Sequence, residues 1–221
     1  METYDLRFQA PFTLVASGGT GSGKTFNIIR LVNNASEMIY PPPERILVCY
    51  GEYQSAYDSM KNVEFQKGID ESVVSPENLK DKSLLLIIDD LSDSIEPTFV
   101  AALFSRISHH RRVNICFLVN NLFFRGLKSM RDISLNTHYF LLQRSFRDQS
   151  AVATLARQIF AQNYKRMTEA YADVCKESYG YLLVDCRPST NDKLRLRTHI
   201  FPGENPICFV AKNGQGKGTK I

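Results

Sequence analysis

Apolar positions along the chain gather into short runs separated by stretches with helical spacing. Residues 12–17 form an apolar run bounded by Pro11 and Gly18, and residues 45–50 form a second behind the stiff Pro41-Pro42-Pro43 breaker. Residues 84–89, 114–119 and 138–143 follow as near-continuous apolar runs of the kind buried on both faces of a parallel sheet. Helices are expected between them. Residues 25–34 have helical character behind a glycine loop, residues 97–110 set Phe99, Leu103 and Ile107 four apart, and residues 150–162 repeat Val152, Leu155, Ala156 and Ile159. A further helix is expected through 163–178, then strands at 180–186 and 194–201 that close one sheet edge as a hairpin across 188–192. The stretch 52–82 is the least regular, with short helices expected at 53–60 and 76–79. Strand alternating with helix specifies an α/β fold with a central parallel sheet and helices on both faces. No internal repeat or linker interrupts it, so residues 1–210 read as a single domain and 211–221 as a flexible basic Gly/Lys tail.

The junction between the first strand and the first helix carries chemistry. Gly18, Gly19, Thr20, Gly21, Ser22, Gly23, Lys24 and Thr25 fit the phosphate-loop pattern GxxxxGK[ST]. Glycines let backbone N–H groups curl around phosphate oxygens, and the helix start adds a favourable dipole. The fixed positions coincide by chance in roughly 1% of chains of this length, and the flanking strand and helix make coincidence rarer still. Lys24 is then expected to hold the β and γ phosphates of ATP, and the Thr25 hydroxyl to ligate Mg²⁺. The run Leu84-Leu85-Leu86-Ile87-Ile88-Asp89-Asp90 resembles a Walker B strand, which delivers Asp89 to the Mg²⁺ shell and points Asp90 at the attacking water as base or orienter. Read alone, such an ending is equally a strand followed by an N-cap.

Counting strands, Asp89 closes the third and Asn120 the fourth. P-loop ATPases place strand four between strands one and three, so Asn120, or its neighbour Asn121, is the candidate sensor of the γ-phosphate and lytic water. The plain alternative is an Asn satisfying local backbone. Phosphoryl transfer commonly takes one more cation from a neighbouring subunit. Arg147 is the leading candidate for that arginine finger, with Arg111 and Arg112 competing, and any one of them read alone is a solvated surface arginine.

Composition narrows the setting. With 221 residues, 43% hydrophobic and 23% charged, the chain can bury a sizeable core and is neither disordered nor fibrous. Its longest aliphatic run, 84–88, falls far short of the roughly 20 apolar residues of a membrane span, and no signal-peptide stretch opens it. No membrane or secreted role is expected; the location expected is intracellular, in host nucleus or cytoplasm, or virion-associated. Five cysteines (Cys49, Cys116, Cys175, Cys186, Cys208), without a CxxC pair, suit reduced, mostly buried thiols rather than a zinc site. The net charge of +4 is a weak hint of an anionic partner. Its distribution says more. Between Phe104 and Arg131 lie Arg106, Arg111, Arg112, Arg125, Lys128 and Arg131 with His109, His110 and no acid, and the tail adds Lys212, Lys217 and Lys220. Phe123 and Phe124 interleave with Arg125, Lys128 and Arg131, a mixture that suits either a nucleic-acid backbone or an amphipathic helix.

The loop Gly19-Thr20-Gly21-Ser22-Gly23-Lys24-Thr25 is similar to that of the FtsK/HerA superfamily of DNA-pumping ATPases. Further likeness lies at 103–111, at Asn121-Leu122-Phe123, at 132–139, at Arg147-Asp148-Gln149-Ser150, at Leu155-Ala156-Arg157-Gln158 and at 180–185. Together these resemble genome-packaging ATPases of Polinton/Maverick-type transposons and large DNA viruses, over residues 12–201. The resemblance implies a P-loop NTPase with an additional-strand, RecA-like core. It also implies an ATPase that forms a homo-oligomeric ring, a hexamer, and threads double-stranded DNA into a capsid through portal or vertex proteins, touching DNA mainly through its backbone. The Asp-Asp ending at 89–90 fits the packaging branch; Asn120 stands where relatives tend to carry Gln. Two alternatives are a nucleotide-binding switch without turnover and a P-loop kinase.

Overall fold

A computed structural model describes residues 4–122, 130–145, 148–211 and 219–220, side chains at 130–132 and 219–220 excepted. Strands are β1 (Phe8–Gln9), β2 (Thr13–Ser17), β3 (Ile39–Tyr40), β4 (Arg45–Tyr50), β5 (Glu64–Lys67), β6 (Leu84–Asp89), β7 (Val113–Val119), β8 (Tyr139–Gln143), β9 (Tyr181–Asp185), β10 (Leu196–Thr198), β11 (Ile207–Val210) and β12 (Thr219–Lys220). Helices are α1 (Lys24–Asn33), α2 (Ala35–Met38), α3 (Pro76–Leu79), α4 (Pro97–Ala102), α5 (Ser108–Arg111), α6 (Met130–Leu135), α7 (Gln149–Phe160) and α8 (Tyr164–Val174). The fold is α/β, as the alternating pattern predicts. Its residues group into two compact units, each assembled from separated stretches: Met1–Val15, Thr25–Leu118 and Arg125–Thr137 in the first, and Ala16–Lys24, Val119–Phe124 and His138–Ile221 in the second.

The first unit holds strands in the order β2–β7–β6–β4–β5, except for the last residues of β2 and β7, with β4 paired in parallel to both β5 and β6, and β6 to β7. This puts the fourth predicted strand, β7, between the first and third, β2 and β6. Every residue of β6 and β7 is buried, which is why both are near-continuous apolar runs. Full burial of a single Leu of β6 is worth about 1.5–3 kcal/mol, so this run is a main anchor of the unit. At the edge, β5 (Glu-Phe-Gln-Lys) is largely exposed, and Arg45 Nη2 bridges to Glu64 Oε2 at 2.7 Å. Charge on an edge strand protects it from pairing with another chain, and the same charge hides it from a search for apolar runs.

The helix predicted over 97–110 is built in three parts: α4, a π-helical turn at Leu103–Ile107, and α5. Phe99, Leu103 and Ile107 are all buried, as their spacing requires, while Arg106, His109, His110, Arg111 and Arg112 face outward. The helix stops at Arg112, whose φ of +53° is left-handed and cannot continue the ladder. Burial pushes the Cys49 thiol up to about 12, with Asp70 adding to the effect, and raises Cys116 by desolvation alone. Both thiols are accordingly inert packing groups.

The second unit is antiparallel: β8 pairs with β9, β9 with β10, β10 with β11 and β11 with β12. The expected C-terminal hairpin is β9–β10, closed through a 3₁₀ turn at Asp192–Leu194. Helices α7 and α8 bury Val152, Leu155, Met167 and Tyr171. At the end of β9, Asp185 is fully buried and takes Nη2 of Arg187 at 2.7 Å and Nη2 of Arg197 at 3.2 Å. Arg197 is itself 1% exposed; burial pulls its pKa down and Asp185 opposes that pull. Removing the carboxylate leaves a buried guanidinium without its charge partner. Asp185→Asn is therefore expected to cost about 3–5 kcal/mol of unfolding free energy, read from denaturant midpoints; a loss below 1 kcal/mol would show that other groups hold Arg197. Among the described residues, no helix is long and apolar enough to cross a membrane.

Candidate functional site

The phosphate-loop motif passes from the second unit to the first between the consecutive residues Lys24 and Thr25. In the second unit, Gly18 N donates to Val119 O at 3.3 Å, and a turn from Ser22 N to Gly19 O at 3.1 Å curls the loop. Gly23 has a φ of +99°, and a Cβ there would lie 2.9 Å from the Tyr179 ring, so both conformation and space demand glycine. Lys24 Nζ folds back over the loop. It donates to Gly18 O at 2.6 Å, to Gly19 O at 3.2 Å and to Asn120 Oδ1 at 3.0 Å. The expected cation and the expected sensor amide are thus in direct contact. Gly19, Thr20, Gly21 and Ser22 line one wall of a 720 Å³ cavity, and Asn120, Asn121, Arg144 and Tyr179 line others. Its glycine-loop wall suits an anionic group.

In the first unit, Thr25 is the second residue of α1 and its Oγ1 donates to Asp89 Oδ2 at 3.4 Å. Asp89 is 6% exposed at the end of β6, held there by the buried run before it. The same Oδ2 accepts a much shorter bond, 2.7 Å, from the Tyr57 hydroxyl. Tyr57 is 1% exposed, and burial together with Asp89 drives its pKa upward, which keeps the phenol protonated as a donor. Its ring packs among Tyr50, Tyr53 and Phe65. Asp90 is exposed, with a left-handed φ of +57°. Gly51 N donates to Asp89 O at 3.1 Å, closing the turn.

The loop donors suit the phosphates of a nucleoside triphosphate, and the Thr25 and Asp89 oxygens suit Mg²⁺. Ser22 Oγ is buried with no hydrogen-bond partner among the described residues, in a loop whose cation and glycines suit phosphate. The Thr25–Asp89 bond is long, so exchanging its proton for a divalent cation held by both oxygens sacrifices little. Tyr57→Phe removes the short bond that orients the carboxylate. We expect the Mg²⁺ concentration for half-maximal nucleotide binding to rise about tenfold, with β-sheet content unchanged by circular dichroism; an unchanged Mg²⁺ requirement would refute the role.

Sequence reasoning missed Tyr57, Arg144 and Tyr179. Tyr57 falls in the stretch that has no clear period, although Tyr50, Tyr53 and Tyr57 recur at three- and four-residue spacing. The competing fingers Arg111 and Arg112 reach backbone carbonyls in this chain, Arg111 Nη1 that of Val74 at 2.6 Å and Arg112 that of Asp81. Arg147 lies outside the described residues, as do Phe123, Phe124, Arg125, Lys128, Lys212, Lys217 and the tail glycines, and the side chains of Arg131 and Lys220 are not described.

No protein-family model and no curated protein matches the chain. Solved structures similar to it include the P4 protein from bacteriophage phi6 in complex with ADP (18% identity, 60% of this chain and 50% of that chain, TM-score 0.37). Others are the pCW3 conjugation coupling protein TcpA in monomer form with ATPγS (16%, 78% and 57%, TM-score 0.48) and a KaiC-like protein from Pyrococcus horikoshii OT3 (10%, 96% and 91%, TM-score 0.46). The chain spans about half the length of the first two. At these identities no residue role passes from them to this chain.

Proposed function

We propose that the chain is an ATP-hydrolysing motor that moves along double-stranded DNA and packages a viral or virus-like transposon genome into a capsid. The observation that carries the ATPase part is the position of Lys24, its ammonium drawn onto the loop carbonyls and against Asn120. Gly18 through Lys24 would hold the phosphates of ATP, and Thr25 and Asp89 would hold Mg²⁺. The bound metal supplies charge neutralisation on the phosphates. Lys24 adds a fixed cation, Asn120 keeps that cation oriented and offers its amide to the γ-phosphate and water, and Asp90 accepts a proton from the attacking water. Tyr57 holds the Asp89 carboxylate in one orientation.

The motor part of the reading draws on the sequence resemblance and on the outward-facing stripe of Arg106, His109 and His110, whose apolar side is buried. A ring of subunits would present that stripe to a duplex and complete each site with a partner's arginine, Arg147 first among the candidates. Phosphate contacts carry little sequence information and weaken with salt. Duplex DNA of any sequence is therefore expected to raise ATP turnover at low salt, with stimulation fading steeply between 50 and 200 mM salt, on the order of the counterion-release slope. Turnover indifferent to duplex at low salt would overturn the motor. A parent chain that binds ATP and never hydrolyses it would instead be a switch.

A further inference from the structure

We propose that the cleft between α7 and α8 is the subsite for the nucleobase. The inference rests on the nucleotide reading above and names the part of the ligand that the glycine loop leaves unaccounted for. A nucleoside triphosphate has two chemically unlike ends, a polyanion and a flat aromatic ring. The loop cavity of 720 Å³ offers backbone amides and a cation, suited to the first end. A second cavity of 580 Å³ lies in the same unit and suits the second end: Val152 and Ala153 of α7 form one side, and Tyr171 and Ala172 of α8 the other. Among the polar groups that share this lining, Gln149 and Thr168 are uncharged and stand on α7 and α8, with Tyr164 and Lys176 beside them. Such a wall with a few convergent polar groups is the usual make-up of a small-molecule site. An amide and a hydroxyl can meet both the donors and the acceptors on a base edge.

The two cavities are neighbours: Arg144 and Ser145 line both. The Tyr171 hydroxyl donates to Gln143 O at 3.0 Å and accepts from Ser145 N at 2.9 Å, pinning the junction to the end of β8. Tyr171 is 5% exposed and also lines the cleft, so one residue belongs to its wall and is bonded to the end of β8. A ligand that enters the loop cavity with its phosphates would then have an apolar slot next to it for its ring.

The test compares ATP with inorganic tripolyphosphate, which has the anionic end and no base. Both are titrated calorimetrically, with Mg²⁺, into the full chain and into Ala153→Phe and Ala172→Phe. Ala153 is half-buried and Ala172 exposed, so an added ring projects into the cleft without displacing the core. ATP affinity is expected to fall about tenfold or more in both variants, the loss of one base contact, while tripolyphosphate affinity stays within twofold. Retained tripolyphosphate binding also certifies that the variants fold. The proposal is overturned if ATP affinity is unchanged in both variants, or if ATP and tripolyphosphate weaken together. A change in oligomeric state with ATP affinity intact overturns it as well, and assigns the cleft to a second copy of the chain. A parent chain that binds neither ligand sinks the nucleotide reading itself, and this inference falls with it.

Discussion

Lys24→Ala is expected to reduce ATP turnover about 10²–10³-fold, the loss typical when one preorganised donor to a developing anion is removed. The ammonium donates to Gly18 O and Gly19 O of the loop and to Asn120 Oδ1 beside it, and each is a bond the side chain can trade for phosphate oxygens. A cation held by carbonyl dipoles is already partly desolvated, so little of its binding energy goes into stripping water when the phosphate arrives. Alanine removes the charge and leaves Asn120 without its anchor, so both affinity and turnover fall. Lys24→Arg is not a rescue, because a planar fork cannot copy three contacts made by one rotating ammonium. Steady-state hydrolysis, with fluorescent-nucleotide binding alongside, reads both effects. Turnover within twofold of the parent would remove the loop from the mechanism.

Asp90→Asn is expected to lower turnover about 10²–10⁴-fold, the range of general acid–base assistance, while nucleotide affinity stays within about threefold. The substitution suits this site because asparagine accepts left-handed backbone as aspartate does, so the φ of +57° persists. The turn is also clamped from outside: a Cβ at Gly51 would lie 2.3 Å from Asp90 O, so the two backbones are in close contact. Asp90→Asn thus changes proton affinity with little change of shape. Asp89→Asn should behave differently, weakening the Mg²⁺ dependence that Thr25 and Tyr57 share with it. Single-turnover hydrolysis against equilibrium binding separates the two carboxylates. A loss of affinity equal to the loss of rate in Asp90→Asn would mean that this residue binds rather than accepts a proton.

Much of the frame was legible because buried strands advertise themselves. β4 and β6 lie where their apolar runs predict, and β2, β7 and β8 differ from prediction by one residue at the start. What escaped was either edge or local. β5 and β11 are partly exposed, so neither forms an uninterrupted apolar run, and β1 and β3 are two residues each. The π turn in 103–107 leaves no mark in the sequence, since the residues on either side keep a helical period. Of the residues proposed for the site, Lys24, Thr25 and Asp89 stand out in the sequence by spacing and a strand end. Tyr57 does not, because its role depends on a bond that crosses 32 positions of sequence.

The sequence alone determined the glycine-rich loop at 18–25, the acids at the end of the third apolar run and the α/β alternation. Each of these rests on local rules: backbone conformation open only to glycine, burial that tolerates no polar break, and periodicity of 2 or 3.6. Only the tertiary structure decided which distant groups serve those residues. It brought Asn120 to Lys24, Tyr57 to Asp89 and Arg197 to Asp185, and it set an apolar cleft beside the loop. The reason is physical: hydrogen bonds and desolvated charges act over a few ångströms of space, and spacing along a chain does not encode which remote side chain will occupy that space.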